Sequence, residues 1–126
     1  MKIFIVEDDL VIAESLANEL SKWNYEVHVV DNFEKIMEDF RRVEPQLVLL
    51  DINLPTLNGF HWCQEMRKVS HVPIMFISSR TDNMDQILAI QMGGDDFIEK
   101  PFNLSLTVGY IHALFLRTYD YSIALD

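Results

Sequence analysis

The sequence has a single cysteine, Cys63, in 126 residues. No internal disulfide can form, and a reducing cytoplasm is the natural setting for such a chain. Apolar runs are short, and none approaches the ~20 residues needed to cross a bilayer, so no membrane insertion is expected. The opening Met1-Lys2-Ile3-Phe4-Ile5-Val6 is too brief for a signal peptide and runs directly into Glu7-Asp8-Asp9. Basic residues are scarce: 10 Lys and Arg stand against 20 Asp and Glu, leaving a net charge of −10. A surface this acidic repels phosphate backbones, so the chain should not itself hold DNA or RNA; it suits a metal cation or a basic partner. His28, His61, His71 and His112 lack metal-ligand spacing and read as structural or surface residues. No Gly-Lys-Ser/Thr is present, which removes a nucleotide-binding P-loop.

What is present is an alternation of apolar runs and helical patterns. Strands are expected at 2–6, 26–30, 47–50, 73–77 and 97–99, and helices at 10–22, 33–43, 58–68, 84–92 and 103–117. The strands are β-branched and almost continuously apolar, as in a parallel sheet buried on both faces. Ala13, Leu16, Ala17 and Leu20 recur at i, i+3, i+4 and i+7 and give the first helix one buried stripe. Asp31 or Asn32 is the expected cap of the second helix, and Pro45 follows its end. Trp23 and Trp62 are expected to pack at helix edges. Short connections between β and α units imply an α/β fold, a doubly wound five-stranded parallel sheet with five helices. Ligands then bind beyond the carboxyl ends of the strands, at the point where the strand order reverses.

The polar residues cluster at those ends. Glu7-Asp8-Asp9 follows the first strand, Asp51 the third, Ser78-Ser79 the fourth and Lys100-Pro101 the fifth. Taken singly, each has a bland reading: an acidic run caps a helix, a lone Asp or Lys-Pro makes a turn. Taken together they have a shared chemistry. Crowded carboxylates repel one another and need a cation; with a backbone carbonyl and waters they form a hard oxygen site suited to Mg²⁺ (or Mn²⁺). Asp51 can act as a carboxylate nucleophile toward phosphorus and give an acyl phosphate. Lys100 would neutralise the transferring oxygens and the Ser78 hydroxyl would donate to one of them.

The ordered set of acidic pair, Asp51-Ile52-Asn53-Leu54-Pro55 with Asn58-Gly59, Ser78-Ser79-Arg80, Gly93-Gly94-Asp95-Asp96-Phe97 and Lys100-Pro101-Phe102 resembles the receiver domain of two-component response regulators. The resemblance covers Lys2 to about Tyr119 and implies a flavodoxin-like receiver fold over 1–119, with 120–126 the start of a linker or tail. It also implies Asp51 as phosphoacceptor, with Glu7, Asp8, Asp51 and the Asn53 backbone carbonyl around magnesium. Ser78 and Phe97 correspond to the switch pair, Lys100 to the phosphoryl-contacting lysine, and the Lys100–Pro101 bond to a cis peptide. The implied partner is a sensor histidine kinase and the implied compartment the cytoplasm. The wording around Asp95 to Phe102 is nearest the winged-helix transcriptional regulators. The segment Phe60 to Arg67 is similar to the subgroup regulating resistance to bacitracin and other antimicrobial peptides.

Three departures stand out. Glu7 is longer than aspartate, and Phe97 lacks a hydroxyl, so its switching depends on packing. Winged-helix regulators dimerise through the face of helix four, strand five and helix five by charged pairs. Here that face reads Gln86, Leu106 and Tyr110, with Asp95, Asp96 and Arg117 retained. On the fifth helix Leu106, Tyr110, Ala113 and Arg117 form one stripe, and Leu104, Val108, Ile111 and Phe115 another. Either the helix is buried on both sides, or the first stripe is a surface for a homodimer formed on phosphorylation. Arg80 is placed to affect the lifetime of the phosphoryl group.

Two other functions fit less well. A haloacid-dehalogenase-type phosphatase also places a nucleophilic Asp after an apolar strand but needs a second Asp two residues on, where this chain has Asn53, and a cap domain for which there is no room. A flavodoxin-like cofactor binder needs a glycine- or hydroxyl-rich first turn, and this turn is acidic. The chain is therefore expected to catalyse only its own phosphorylation and dephosphorylation. Control of transcription, and any DNA binding, would need a C-terminal domain absent from these residues; a receiver cut from a longer regulator is favoured over a stand-alone one.

Overall fold

The computed structural model describes residues 1–78, 83–91, 93–94, 96–100 and 103–120, excluding the side chains of 83–86 and 120. Five strands form one parallel sheet in the order β2-β1-β3-β4-β5: β1 (Lys2–Val6), β2 (Glu26–Val29), β3 (Leu47–Asp51), β4 (Ile74–Ser78) and β5 (Asp96–Glu99). Between them run α1 (Leu10–Lys22), α2 (Ile36–Val43), α3 (Gly59–Arg67), α4 (Asn83–Gln91) and α5 (Leu104–Phe115). The expected doubly wound α/β fold is borne out.

Strand parity divides the interior into two cores. Ile3, Ile5, Leu47, Leu49, Met75 and Ile77 point to the face covered by α1 and α5, where Ala13, Leu16, Leu20, Val108, Ile111 and Phe115 meet them. Phe4, Val6, Val48, Leu50, Ile74 and Phe76 point the other way, against Ile36, Phe40, Cys63, Met66 and Ala89 of α2, α3 and α4. Nearly all of these residues are completely buried, which explains why the inner strands β1, β3 and β4 carry no polar alternation, whereas the edge strand β2 alternates Glu26 and His28 with valines.

The helix ends show where local chemistry prevailed over the expected boundaries. α1 runs as expected from 10 to 22. α2 starts three residues later than expected, at Ile36, and neither Asp31 nor Asn32 caps it. Asn32 instead accepts the Glu34 N–H at 3.0 Å, and its carbonyl accepts the Lys35 N–H at 3.0 Å, so it closes a turn before the helix begins. α2 stops at Glu44, left-handed at φ 52°, ahead of Pro45. α5 is capped by Asn103, which accepts the Leu106 N–H at 3.0 Å. It passes into a wider π turn over Leu116–Asp120, where the Tyr119 hydroxyl donates to the Gln46 carbonyl at 2.7 Å. Trp62 packs partly on the second core as expected, whereas Trp23 is 60% exposed at the end of α1.

The chain passes from β1 outward to β2, then crosses back to β3 on the other side of β1. The carboxyl ends of β1 and β3 are therefore neighbours at the reversal point, where ligands are expected in such sheets. Glu7 follows one of these ends and Asp51 closes the other.

Candidate functional site

The three consecutive acids after β1 do different jobs. Asp9 is the cap of α1 and accepts the N–H groups of Val11 and Ile12 at 3.0 and 3.3 Å. Glu7 is fully buried and Asp51 is 3% exposed. Asp8 stays exposed, yet one oxygen each from Glu7, Asp8 and Asp51 fall within 4.8 Å of one another. The bland reading thus holds for Asp9 alone.

Lys100 follows β5 and reaches across two strands. Its Nζ lies 3.2 Å from Asp51 Oδ2 and forms an ion pair with Glu7 Oε1. Backbone donors fix the carboxylates: the Asn53 N–H donates to Asp51 Oδ1 at 3.2 Å, and the Asp9 N–H to Glu7 Oε2 at 3.2 Å. Ser78 is fully buried one residue beyond Ile77, the register partner of Asp51, and its carbonyl accepts the Lys100 N–H at 2.7 Å. Phe97 pairs with Phe76 across β4 and β5 and packs, half-buried, on the second core. Glu7, Asp8, Asp51, Ser78 and Lys100 are thus brought to one edge of the sheet, with Asn53 in the loop after Asp51. Pro101, Ser79, Arg80 and Asp95, the cis-peptide expectation at Lys100–Pro101, the Gln86 side chain and the tail 121–126 lie outside the described residues.

The electrostatics are those of a pocket with more acid than it can balance. Burial pushes the Glu7 carboxyl above its ordinary range, and the neighbouring Asp51 carboxyl pushes it further, outweighing the opposing pull of Lys100. Burial, and then Glu7, raise Asp8 as well. Burial works to lower Lys100, but the bond to Glu7 and the charge of Asp51 override it and hold the ammonium above its usual value. Glu7 Oε1, though in ion contact with Lys100, makes no aligned hydrogen bond and is a buried oxygen with spare acceptor capacity. Three carboxylates against one ammonium, all hard oxygen donors, suit a divalent cation of the magnesium type.

Asn58 and Gly59 belong to the motif but have no role that the sequence reveals. Asn58 caps α3 by accepting the His61 N–H at 3.1 Å. A Cβ on Gly59 would stand 2.3 Å from the Asp51 carbonyl oxygen and 3.0 Å from Ile52 Cα, so α3 begins in direct backbone contact with the strand end that carries Asp51. Gly59→Ala is expected to cost about 1–3 kcal/mol in urea melts. Unchanged melts would show that this approach has slack.

A family model for the response regulator receiver domain matches residues 3–112. The chain belongs to that family. Among curated relatives, the sensory transduction protein BceR of Halalkalibacterium halodurans is 44% identical over 121 residues, covering 96% of this chain and 52% of the relative. The response regulator protein GraR of Staphylococcus aureus is 39% identical over 122 residues, covering 97% and 54%. This receiver therefore spans about half the length of the curated relatives it matches. Among solved structures, the N-terminal domain of the nisin resistance regulator NsrR, a lantibiotic response regulator, is 46% identical with a TM-score of 0.82, covering 89% of this chain and 95% of that one. The BeF3-activated receiver domain of Klebsiella pneumoniae RstA is 32% identical with a TM-score of 0.85, covering 90% and 97%. The family and the antimicrobial-peptide-resistance subgroup expected from residues 60–67 are both borne out. As a receiver domain the chain is a phosphorylation-based signalling switch rather than an enzyme acting on an outside substrate.

Proposed function

We propose that Asp51 is the phosphoacceptor of this receiver and that a partner sensor histidine kinase is the donor. The observation that carries the reading is the buried Asp51 carboxylate at the end of β3 with Lys100 Nζ at 3.2 Å and two further acids beside it. An Asp51 oxygen attacks phosphorus, the bond to the donor breaks, and an acyl phosphate forms. Lys100 holds a phosphoryl oxygen by charge, and the Ser78 hydroxyl donates to another. Glu7, Asp8, Asp51 and the Asn53 carbonyl would hold Mg²⁺ (or Mn²⁺), which when bound supplies positive charge against the phosphoryl oxygens. Asn53 stands where a phosphatase would need a second Asp, so release of the phosphoryl group to water is the receiver's own slow reset.

The output surface is the face of α4, β5 and α5. Leu106 and Tyr110 are 55% and 49% exposed, and Ile87 and Ile90 on α4 are 46% and 70% exposed. Val108, Ile111 and Phe115 take the opposite side of α5 into the core. With Asp96 and exposed Arg117, this makes a dimer surface richer in apolar contact than in charged pairs. Phosphorylation adds roughly −1.5 to −2 charges at Asp51; Ser78 moves toward them, Phe97 turns inward, and the face is biased toward the homodimer. The dimer controls transcription through a C-terminal DNA-binding domain of a full-length regulator, in the cytoplasm, in response to cell-envelope antimicrobial peptides.

Intact mass after incubation with acetyl phosphate tests the reading. One phosphoryl group is expected on the wild type with Mg²⁺, and none without Mg²⁺ or in Asp51→Asn. Sedimentation of the same samples should show the dimer only where the adduct forms. A folded wild type that never gains the adduct would mean that the acidic cluster is structural.

A further inference from the structure

Arg67 closes α3, where a cation ordinarily faces the last carbonyls of its own helix. Its guanidinium reaches elsewhere. Nη1 donates to the Val72 carbonyl at 2.5 Å, just before β4, while Nε and Nη2 both donate to the Gly93 carbonyl, at 3.1 and 2.6 Å. Gly93 lies in the turn between α4 and β5 with φ at +92°, a conformation that L side chains rarely adopt, and a Cβ there would come 3.1 Å from Arg67 Nε. Gly94 follows just as tightly: its Cβ would stand 2.7 Å from both the Ala89 carbonyl and the Phe76 ring. The Gly93 and Gly94 N–H groups donate back to the Ile90 and Ala89 carbonyls at 3.1 and 2.9 Å. The α4–β5 turn is thus held by α3, β4 and the end of α4 at once.

At its other end β5 delivers Lys100 to Asp51, and Phe97 lies between the two ends. A unit fixed below and pulled above rotates; the same unit without the fixed point slides as a whole. We propose that Arg67 is the positioning residue on which this switch pivots, its planar fork anchoring Gly93 so that a change at Asp51 and Lys100 becomes a rotation of α4 and the upper part of β5. The proposal rests on the reading of Asp51 as phosphoacceptor. Lysine cannot replace the fork, because a single ammonium does not present two coplanar arms to two carbonyls.

Hydrogen exchange, with intact mass and urea melts alongside, is read on wild type, Arg67→Gln and Arg67→Lys, each with and without acetyl phosphate and Mg²⁺. In the wild type, phosphorylation is expected to change exchange in α4 by about tenfold while the Gly93 and Gly94 amides hold within about twofold. In both variants the adduct forms to the same extent, and the phosphorylation-dependent change spreads to Gly93 and Gly94 by about tenfold. Arg67→Lys keeps the charge at the helix end, so a purely electrostatic role predicts the wild-type pattern there. A purely structural role predicts faster Gly93 and Gly94 exchange that phosphorylation does not alter, which also overturns the pivot. The wild-type pattern in Arg67→Lys, or wild-type Gly93 and Gly94 amides that change as much as α4, or an α4 that does not respond, overturns the pivot alone. A wild type without the adduct overturns the phosphoacceptor reading and the pivot with it.

Discussion

Lys100→Ala is expected to slow phosphoryl uptake at Asp51 by about 100-fold or more and to cost the metal-free domain about 3 kcal/mol. The two losses have different origins. Nζ lies against both Glu7 and Asp51, which are 0% and 3% exposed, so its removal leaves two buried carboxylates facing each other. One of them takes up a proton rather than remain charged, which limits the stability loss. The rate loss has no such outlet, because a protonated carboxyl gives no positive charge to the phosphoryl oxygens. Saturating Mg²⁺ should therefore restore much of the stability of Lys100→Ala but little of the rate. Urea melts with and without Mg²⁺, beside the rate of mass gain from acetyl phosphate, separate the two. Full recovery of both by the metal would mean that Lys100 is only a counter-ion of the empty pocket.

The strands and the site were readable in the sequence for the same reason. A strand buried on both faces needs an unbroken apolar run, so the first polar residue after it marks the carboxyl end of the sheet. Asp51 and Ser78 each ended up closing their strands. Residue type and spacing alone could not separate the work of Glu7, Asp8 and Asp9, and only the family resemblance set Glu7 and Asp8 apart. Three adjacent acids look alike in sequence, and only the path of the backbone into α1 makes Asp9 the cap and turns Glu7 inward. Asn32 shows the converse: its type predicted a cap, and a competing local turn claimed its side chain. Gly59 and Arg67 were invisible because their roles are close approaches across the fold. The Arg67–Gly93 contact joins residues 26 apart, and nothing near Arg67 distinguishes it from an ordinary helix-end cation.

The metal-free domain should lose stability as pH rises from the acid side through the carboxyl range, against the usual behaviour of ion-paired acids. Glu7 and Asp8 have folded-state values raised above the ordinary 4.5 and 3.8, by burial first and by neighbouring carboxyls second. Between the unfolded and folded values the folded state holds more protons, so stability falls with pH until the raised groups have ionised. Lys100, also raised, adds stability that is complete below 10.5 and fades only as pH passes its higher folded value, so it does not mask the effect near neutrality. A cation competes with those same protons, and its affinity must therefore rise over the same window. With Mg²⁺ at 100 times its dissociation constant, the gain at pH 7 is about 2.7 kcal/mol, or a rise in Tm of about 10 °C, and it should nearly vanish near pH 4. Glu7→Gln removes one of the raised carboxyls, so its metal-free stability should fall less steeply through the window than that of the wild type. Melts from pH 4 to 8, with and without Mg²⁺, read both effects. An equal Mg²⁺ shift at both ends of that range would place the cation away from these carboxylates, and an unaltered slope in Glu7→Gln would remove Glu7 as the source.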